Sequence, residues 1–205
     1  MIRRRAIPSA LALLLSALPA SASTPAAYDL AFVLRFEQAC VPQRLSFEGT
    51  KAQALSEGWK AVSETDNAEL GSMMAVAKKA AIDPEYPDWK TDFAVFRHTI
   101  LDAPAYLVVT HLAAPDVINL VGCHLFDFDR QEMIDPALVT ALIGNPIGES
   151  VDDQGLLSHV WGPPPALPRT LDTYLTLVKD ESPLVAMTGF SGLTMKFETS
   201  EPEVQ

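Results

Sequence analysis

The sequence is short of positive charge, short of cysteine, and lacks the compact catalytic signatures. Its 15 Lys and Arg face 26 Asp and Glu, a formal net charge of −11. A chain this acidic opposes phosphate backbones and anionic lipid surfaces, which argues against nucleic-acid partners and against membrane attachment through basic patches. No apolar run approaches the roughly 20 residues that a membrane-spanning helix needs, so no transmembrane segment is expected. Gly-x-x-x-x-Gly-Lys and Gly-x-Gly-x-x-Gly are absent, which leaves nucleotide binding without support. His-Glu-x-x-His is absent as well, and so is Cys-x-x-Cys with its redox chemistry. No cofactor is expected.

What is present begins with an export signal. Arg3-Arg4-Arg5 is a basic n-region, residues 10–18 (ALALLLSAL) are an apolar core, and Ala20-Ser21-Ala22 is a small-x-small cleavage site. Residues 1–22 therefore read as a signal peptide, 23–198 as a single domain and 199–205 as a polar tail. Cleavage near Ala22 leaves a periplasmic or secreted chain with 12 basic and 26 acidic residues, a net charge of −14. The two cysteines, Cys40 and Cys123, most simply form one disulfide in such a compartment. Chain-entropy arithmetic over their separation gives roughly 4–5 kcal/mol as an upper figure.

Residues 28–40 (YDLAFVLRFEQAC) place Phe32, Phe36 and Cys40 at i, i+4 and i+8, the stripe of a buried helix that Pro42 stops. Thr50-Lys51-Ala52-Gln53 is a capping-box pattern, predicting a helix over 51–58 with Leu55 and Trp59 turned inward. Asp66-Asn67-Ala68-Glu69 opens another, with Leu70, Met73, Met74, Ala77 and Ala81 on one side and Lys78 and Lys79 outside. Strands follow over 91–101, 105–112 and 118–128. Asp135-Pro136 starts a helix whose apolar face is Leu138, Ala141 and Leu142, and Gly144 ends it. Residues 145–155 read as a loop and 156–161 as a strand. Residues 170–178 alternate, with Leu171, Thr173, Leu175 and Leu177 inward. Residues 184–190 and 193–197 read as strands joined by a tight Ser191-Gly192 hairpin. The expected fold class is α+β: a mainly antiparallel sheet made of a three-strand meander, a helix and three to four further strands, with the N-terminal helices packed on it.

The chemistry-bearing residues form no recognisable set. His98, His111 and His124 recur every 13 residues. Hairpins centred on Ala103 and Pro115 would set His98 opposite Val108, and His111 opposite Val95 and Asn119, so that no two histidines face each other. Asp127, Asp129 and Glu132 resemble a loose calcium loop, but Glu132 stands where a hand-type loop has glycine. The preferred reading is a strand end followed by the acidic start of the next helix, with no metal. Gly189-Phe190-Ser191-Gly192-Leu193 misses the nucleophile-elbow pattern at Leu193.

The export signal, the Phe-rich first helix ending in Cys40, the Gly58-Trp59 pair and Cys123 ahead of an Asp-rich bend resemble small uncharacterised exported bacterial proteins. That resemblance implies no activity. The expectation is a non-enzymatic exported domain that binds a partner protein or small ligand. Its rival is a small exported hydrolase whose site gathers residues distant in sequence, such as His124, Asp127 and His159.

Overall fold

The computed structural model describes residues 26–82, 88–114 and 118–200. The expected signal segment, the turn at Pro115-Asp116 and residues 201–205 lie outside the described residues. In chain order the elements are α1 (Ala27–Cys40), α2 (Phe47–Ser56), β1 (Lys60–Ala61), α3 (Ala68–Ala80), β2 (Lys90–Ile100), β3 (Ala103–Ala114), β4 (Ile118–Asp127), α4 (Pro136–Ile143), β5 (Glu149–Asp153), β6 (Leu156–Trp161), β7 (Thr170–Val178), α5 (Val185–Thr188) and β8 (Gly192–Ser200). Among the described residues eight strands form one antiparallel sheet in the order β1-β2-β3-β4-β8-β7-β6-β5. Two meanders thus meet at the central β4–β8 pair. Among the described residues no helix is long and apolar enough to cross a membrane.

Local chemistry explains most of the helix starts. The Asn67 side chain accepts from the Glu69 and Leu70 amides at 2.8 and 2.9 Å and caps α3. Asp135 accepts from the Ala137 amide at 2.9 Å ahead of Pro136, and caps α4. In α2 the cap is Ser46, not the expected Thr50. Thr50 lies inside the helix, fully buried, and its hydroxyl donates to the Gln43 carbonyl. The whole helix therefore starts earlier than expected, and Leu55 is turned out to solvent while Trp59 is buried.

The sheet departs from expectation where pairing is non-local. The segment expected as a loop holds β5, which pairs with β6 through a two-residue turn. Gln154 and Gly155 there take φ of 50° and 78°, the left-handed pair that a tight hairpin needs. The expected 184–190/193–197 hairpin does not form. Residues 185–188 are a helical turn, and β8 pairs with β4 and β7 instead. That pairing buries Leu193, Met195 and Phe197 in the main core, which a surface hairpin would not. It also needs Gly192, at φ +99°, because a Cβ there would stand 2.3 Å from the Asp127 carbonyl oxygen. In β7 the register shifts between Thr170 and Thr173. Such a bulge sets two residues against one on the partner strand, and Leu171, expected inside, is exposed. In α4 the buried residues are Val139 and Ile143, while Ala141 faces out.

One face of the sheet carries the main core. Phe32, Phe36, Ala39 and Cys40 of α1 and Val139 and Ile143 of α4 join Leu107, Val109, Cys123, Leu125, Leu175, Leu193, Met195 and Phe197 in one buried cluster. Phe36 meets Phe197 edge to face at 5.1 Å. Cys40 and Cys123 are bonded, with Cα atoms 5.7 Å apart, so the end of α1 is tied to the middle of β4. The opposite face carries a smaller cluster, in which Leu70, Met74 and Phe190 lie with Val95, Tyr106, Val108, Phe126, Phe128 and Val178.

Candidate functional site

Successive residues of a strand point to opposite faces, so the registers place every histidine. His98 pairs with Ala105, His111 with Asp92 and Val121, and His124 with Val108 and Lys196. The first turn sits at Leu101-Asp102 rather than Ala103, which shifts the expected partners of His98 and His111 by three residues. No histidine stands opposite another. His98 and His111 lie on the face of the main core and His124 on the other.

Each of the outer three histidines has an internal partner. His98 Nδ1–H donates to the Thr99 carbonyl at 2.7 Å, and the ring tilts against Trp59. His159 Nδ1 is 2.8 Å from Ser150 Oγ across the β5–β6 pair. His111 Nε2 is 2.7 Å from Asn119 Oδ1, and its Nδ1 is 3.8 Å from an Asp92 carboxylate oxygen. His124 differs. Its Nε2 is buried and meets no hydrogen-bond partner. Burial, and after it the charge of Lys196, pushes its pKa down to about 3, so the ring is neutral. The ring stacks in parallel on Phe126, which stacks on Phe128. Gly122 makes room for it: a Cβ there would lie 2.6 Å from His124 Nε2 and 2.3 Å from Thr110 Oγ1.

The acidic bend is a structural joint. Asp127 is buried, accepts a short hydrogen bond from the Tyr28 hydroxyl, and accepts from the Asp129 amide at 3.1 Å. Burial first, and then the bond to Asp127, push the Tyr28 phenol above its usual range. The Arg130 guanidinium lies 4.8 Å over the Tyr28 ring and 3.6 Å from Asp29, whose other oxygen accepts from the Asp135 amide at 3.0 Å. These contacts hold the first turn of α1 against the β4–α4 connection. Asp129 and Glu132 point to solvent. Among the described residues no group of three or more His, Cys, Asp or Glu is placed to hold a metal ion.

The dispersed trio of His124, Asp127 and His159 does not converge. His124 and Asp127 are three residues apart on one strand and so point to opposite faces. The row Leu125, Met195, Leu175, His159 puts His159 three strands away from β4. Ser191 is buried, and its hydroxyl and amide both donate to Glu69 Oε1, at 2.7 and 2.5 Å. It closes the loop between α5 and β8 onto the first turn of α3.

Among the described residues a cleft lies between the start of α2 and the starting end of β2. It has a volume of about 480 Å³ and is lined by Ser46, Phe47, Glu48, Lys51, Asp92, Phe93 and His111. Phe47 is its centre. The His111 ring stacks on it at 5.5 Å and the Lys51 ammonium stands 4.6 Å from its centroid. Lys51 is also bound to Glu48 at 2.8 Å. Carboxylates, an ammonium, an imidazole and two phenyl rings therefore share one small concavity. The sequence signals missed it because they assigned the helix start to Thr50, which hides Ser46, Phe47 and Glu48 in a loop. The Ser-x-x-Gly run before Thr50 carried the cap signal. Comparison with protein families, curated proteins and solved structures finds no match to this chain.

Proposed function

We propose that this is an exported, non-enzymatic domain that binds a small polar ligand in the cleft between α2 and the β2–β3 pair. The observation that carries the reading is where the polar groups lie. His98, His159, Asp127 and Ser191 are each engaged by a partner within the fold. The polar groups around Phe47 also pair within the fold, Lys51 with Glu48 and His111 with Asn119, but they line an open concavity of about 480 Å³, within the range of roughly 300–1,000 Å³ typical of small-molecule sites. The mixed charge of Glu48, Asp92 and Lys51 suits a ligand bearing both donors and acceptors, and Phe47 and Phe93 supply apolar contact. Export rests on the basic and apolar segments of residues 1–22, with cleavage near Ala22, and is supported by the Cys40–Cys123 bond, which persists in oxidising compartments. A periplasmic or secreted location follows, with the N-terminal helices packed on the sheet as a scaffold for the cleft.

Two measurements test this. Osmotic-shock fractionation with intact-mass analysis is expected to find the chain outside the cytoplasm and beginning at Ser23. Amide NMR spectra recorded against a panel of amino acids, small carboxylic acids and amines are expected to shift Phe47, Lys51 and His111 together. Turnover of chromogenic esters that disappears in a His159→Ala or His124→Ala variant would establish the hydrolase reading in its place.

A further inference from the structure

The sheet face opposite α1 and α4 is only half covered. Over β2, β3 and β4, and at the Leu156–Val178 end of the β6–β7 pair, it meets Leu70 and Met74 of α3, and Phe190 just after α5. Beyond β4 the same face continues through the registered row His124, Lys196, Tyr174, Val160, Glu149. Val151, Val160 and Tyr174 belong to neither apolar cluster. Val151 and Leu171 are exposed, Leu171 because of the bulge in β7.

The charge of this open half is one-sided. Glu149 and Asp153 of β5, Asp172 of β7 and Glu198 of β8 face it, against Lys196 alone. Lys196 is held 4.9 Å over the Tyr174 ring, so its charge is drawn inward. Burial first, and then the charges of Asp172, Glu198 and Glu149, raise the Tyr174 phenol above its ordinary value.

An acidic, solvated face alone would leave nothing unsatisfied. Here two polar groups at the inner border of the face are buried without partners in the fold: His124 Nε2 and the hydroxyl of Thr194, which is only 7% exposed. They flank Lys196, on the neighbouring strand and two residues along. Buried polar groups are nearly always paired, with protein, water or ligand. A neutral imidazole and a hydroxyl both offer acceptors to N–H donors. Exposed aliphatic groups, a ring of carboxylates and unpaired acceptors together fit a surface that is apolar and cationic at once.

We propose that the open face of β5, β6, β7 and β8 is a docking surface for an amphipathic, Lys- and Arg-rich segment of a partner protein. Its cations pair with Glu149, Asp172 and Glu198, and its apolar side chains cover Leu171, Val160 and Val151. A second copy of this chain is disfavoured there, because like charges would meet. This names a partner class for the binding reading above and rests on it, but it uses a surface separate from the cleft.

The test uses the full exported chain and a fluorescent synthetic Leu/Lys amphipathic peptide as the probe. Binding is expected, with amide shifts at Lys196, Tyr174, His124 and Thr194. Asp172→Lys with Glu198→Lys is expected to weaken it by at least about tenfold, the scale of losing interfacial charge pairs. Asp172→Asn with Glu198→Gln serves the same purpose if the reversal impairs folding. Asp102→Lys with Glu181→Lys makes the same change in net charge on other exposed positions and is expected to leave binding unaltered. Equal weakening by both pairs would reduce the interaction to bulk charge and overturn the proposal, as would absence of binding or shifts confined to other residues. Phe47→Ser is expected to leave peptide binding intact while abolishing ligand shifts in the cleft, so either site fails without the other.

Discussion

His124 makes a defined acid sensitivity part of the fold. The ring is neutral in the folded chain because burial, assisted by Lys196, lowers its pKa from 6.5 to about 3. In the unfolded chain the same ring takes up a proton as the pH falls below about 6.5. The unfolded state then binds more protons, so stability is full above pH 6.5 and drains away as the pH falls toward 3. The slope is about 1.4 kcal/mol per pH unit. Between pH 6.5 and 4.5 the loss is therefore about 3 kcal/mol, a large share of the roughly 5–15 kcal/mol typical of a domain. Other groups contribute their own pH dependence, so the perturbation is His124→Phe, which extends the Phe126–Phe128 stack and removes the titrating ring. Urea unfolding followed by Trp fluorescence at pH 7 and pH 4.5 gives four stabilities. The wild type is expected to lose about 3 kcal/mol more than the variant over that interval. His124→Gln provides the same comparison if the larger ring perturbs the strand. Equal losses in wild type and variants would refute the account of an imidazole kept neutral by burial of its Nε2 edge.

Tyr28→Phe removes the donor to buried Asp127 and is expected to cost about 1–3 kcal/mol in urea unfolding, the penalty of an under-satisfied buried group; no change would deny the joint its structural role. Gly192→Ala is expected to destabilise by about 2–4 kcal/mol, combining a strained φ with overpacking against the Asp127 carbonyl, read from the same midpoints. Replacing Cys40 and Cys123 together by Ala is expected to cost about 2–5 kcal/mol. Alkylation and mass analysis of the native chain should find neither thiol free, and two alkylated cysteines without reductant would contradict the bond. Asn67→Ala is expected to cost about 1 kcal/mol through loss of the α3 cap.

How far the sequence was legible depended on the range of the signal. The stripe of Phe32, Phe36 and Cys40 announces α1 because burial repeats within the helix period, and all three are fully buried. Asn67 and Asp135 announce α3 and α4 because a cap acts on amides two or three residues away. The capping box at Thr50 misled for the same reason, since a serine four residues earlier makes an equally local cap. The candidate site was much less legible. His111 and Asp92 are 19 residues apart and meet only through the β2–β3 register, while Phe47 arrives from a helix on another layer. No spacing in the chain encodes that meeting.

The amino-acid order alone determined the helix and strand periods, the acidic balance, the basic and apolar opening segment and the presence of two cysteines for one bond. It also excluded the compact motifs of nucleotide, zincin and thiol-exchange chemistry, since those depend on residues close in the chain. Tertiary structure decided everything that depends on distant partners. It paired β8 with β4, turned 149–153 into an edge strand and swung Leu171 outward at a bulge. It also left His124 with a buried Nε2 that lacks a partner. The physical reason is that caps and periodicity are settled within a few residues. Strand order and side-chain partners, by contrast, are settled by which arrangement buries Leu193, Met195 and Phe197 and satisfies the most backbone hydrogen bonds across the whole sheet.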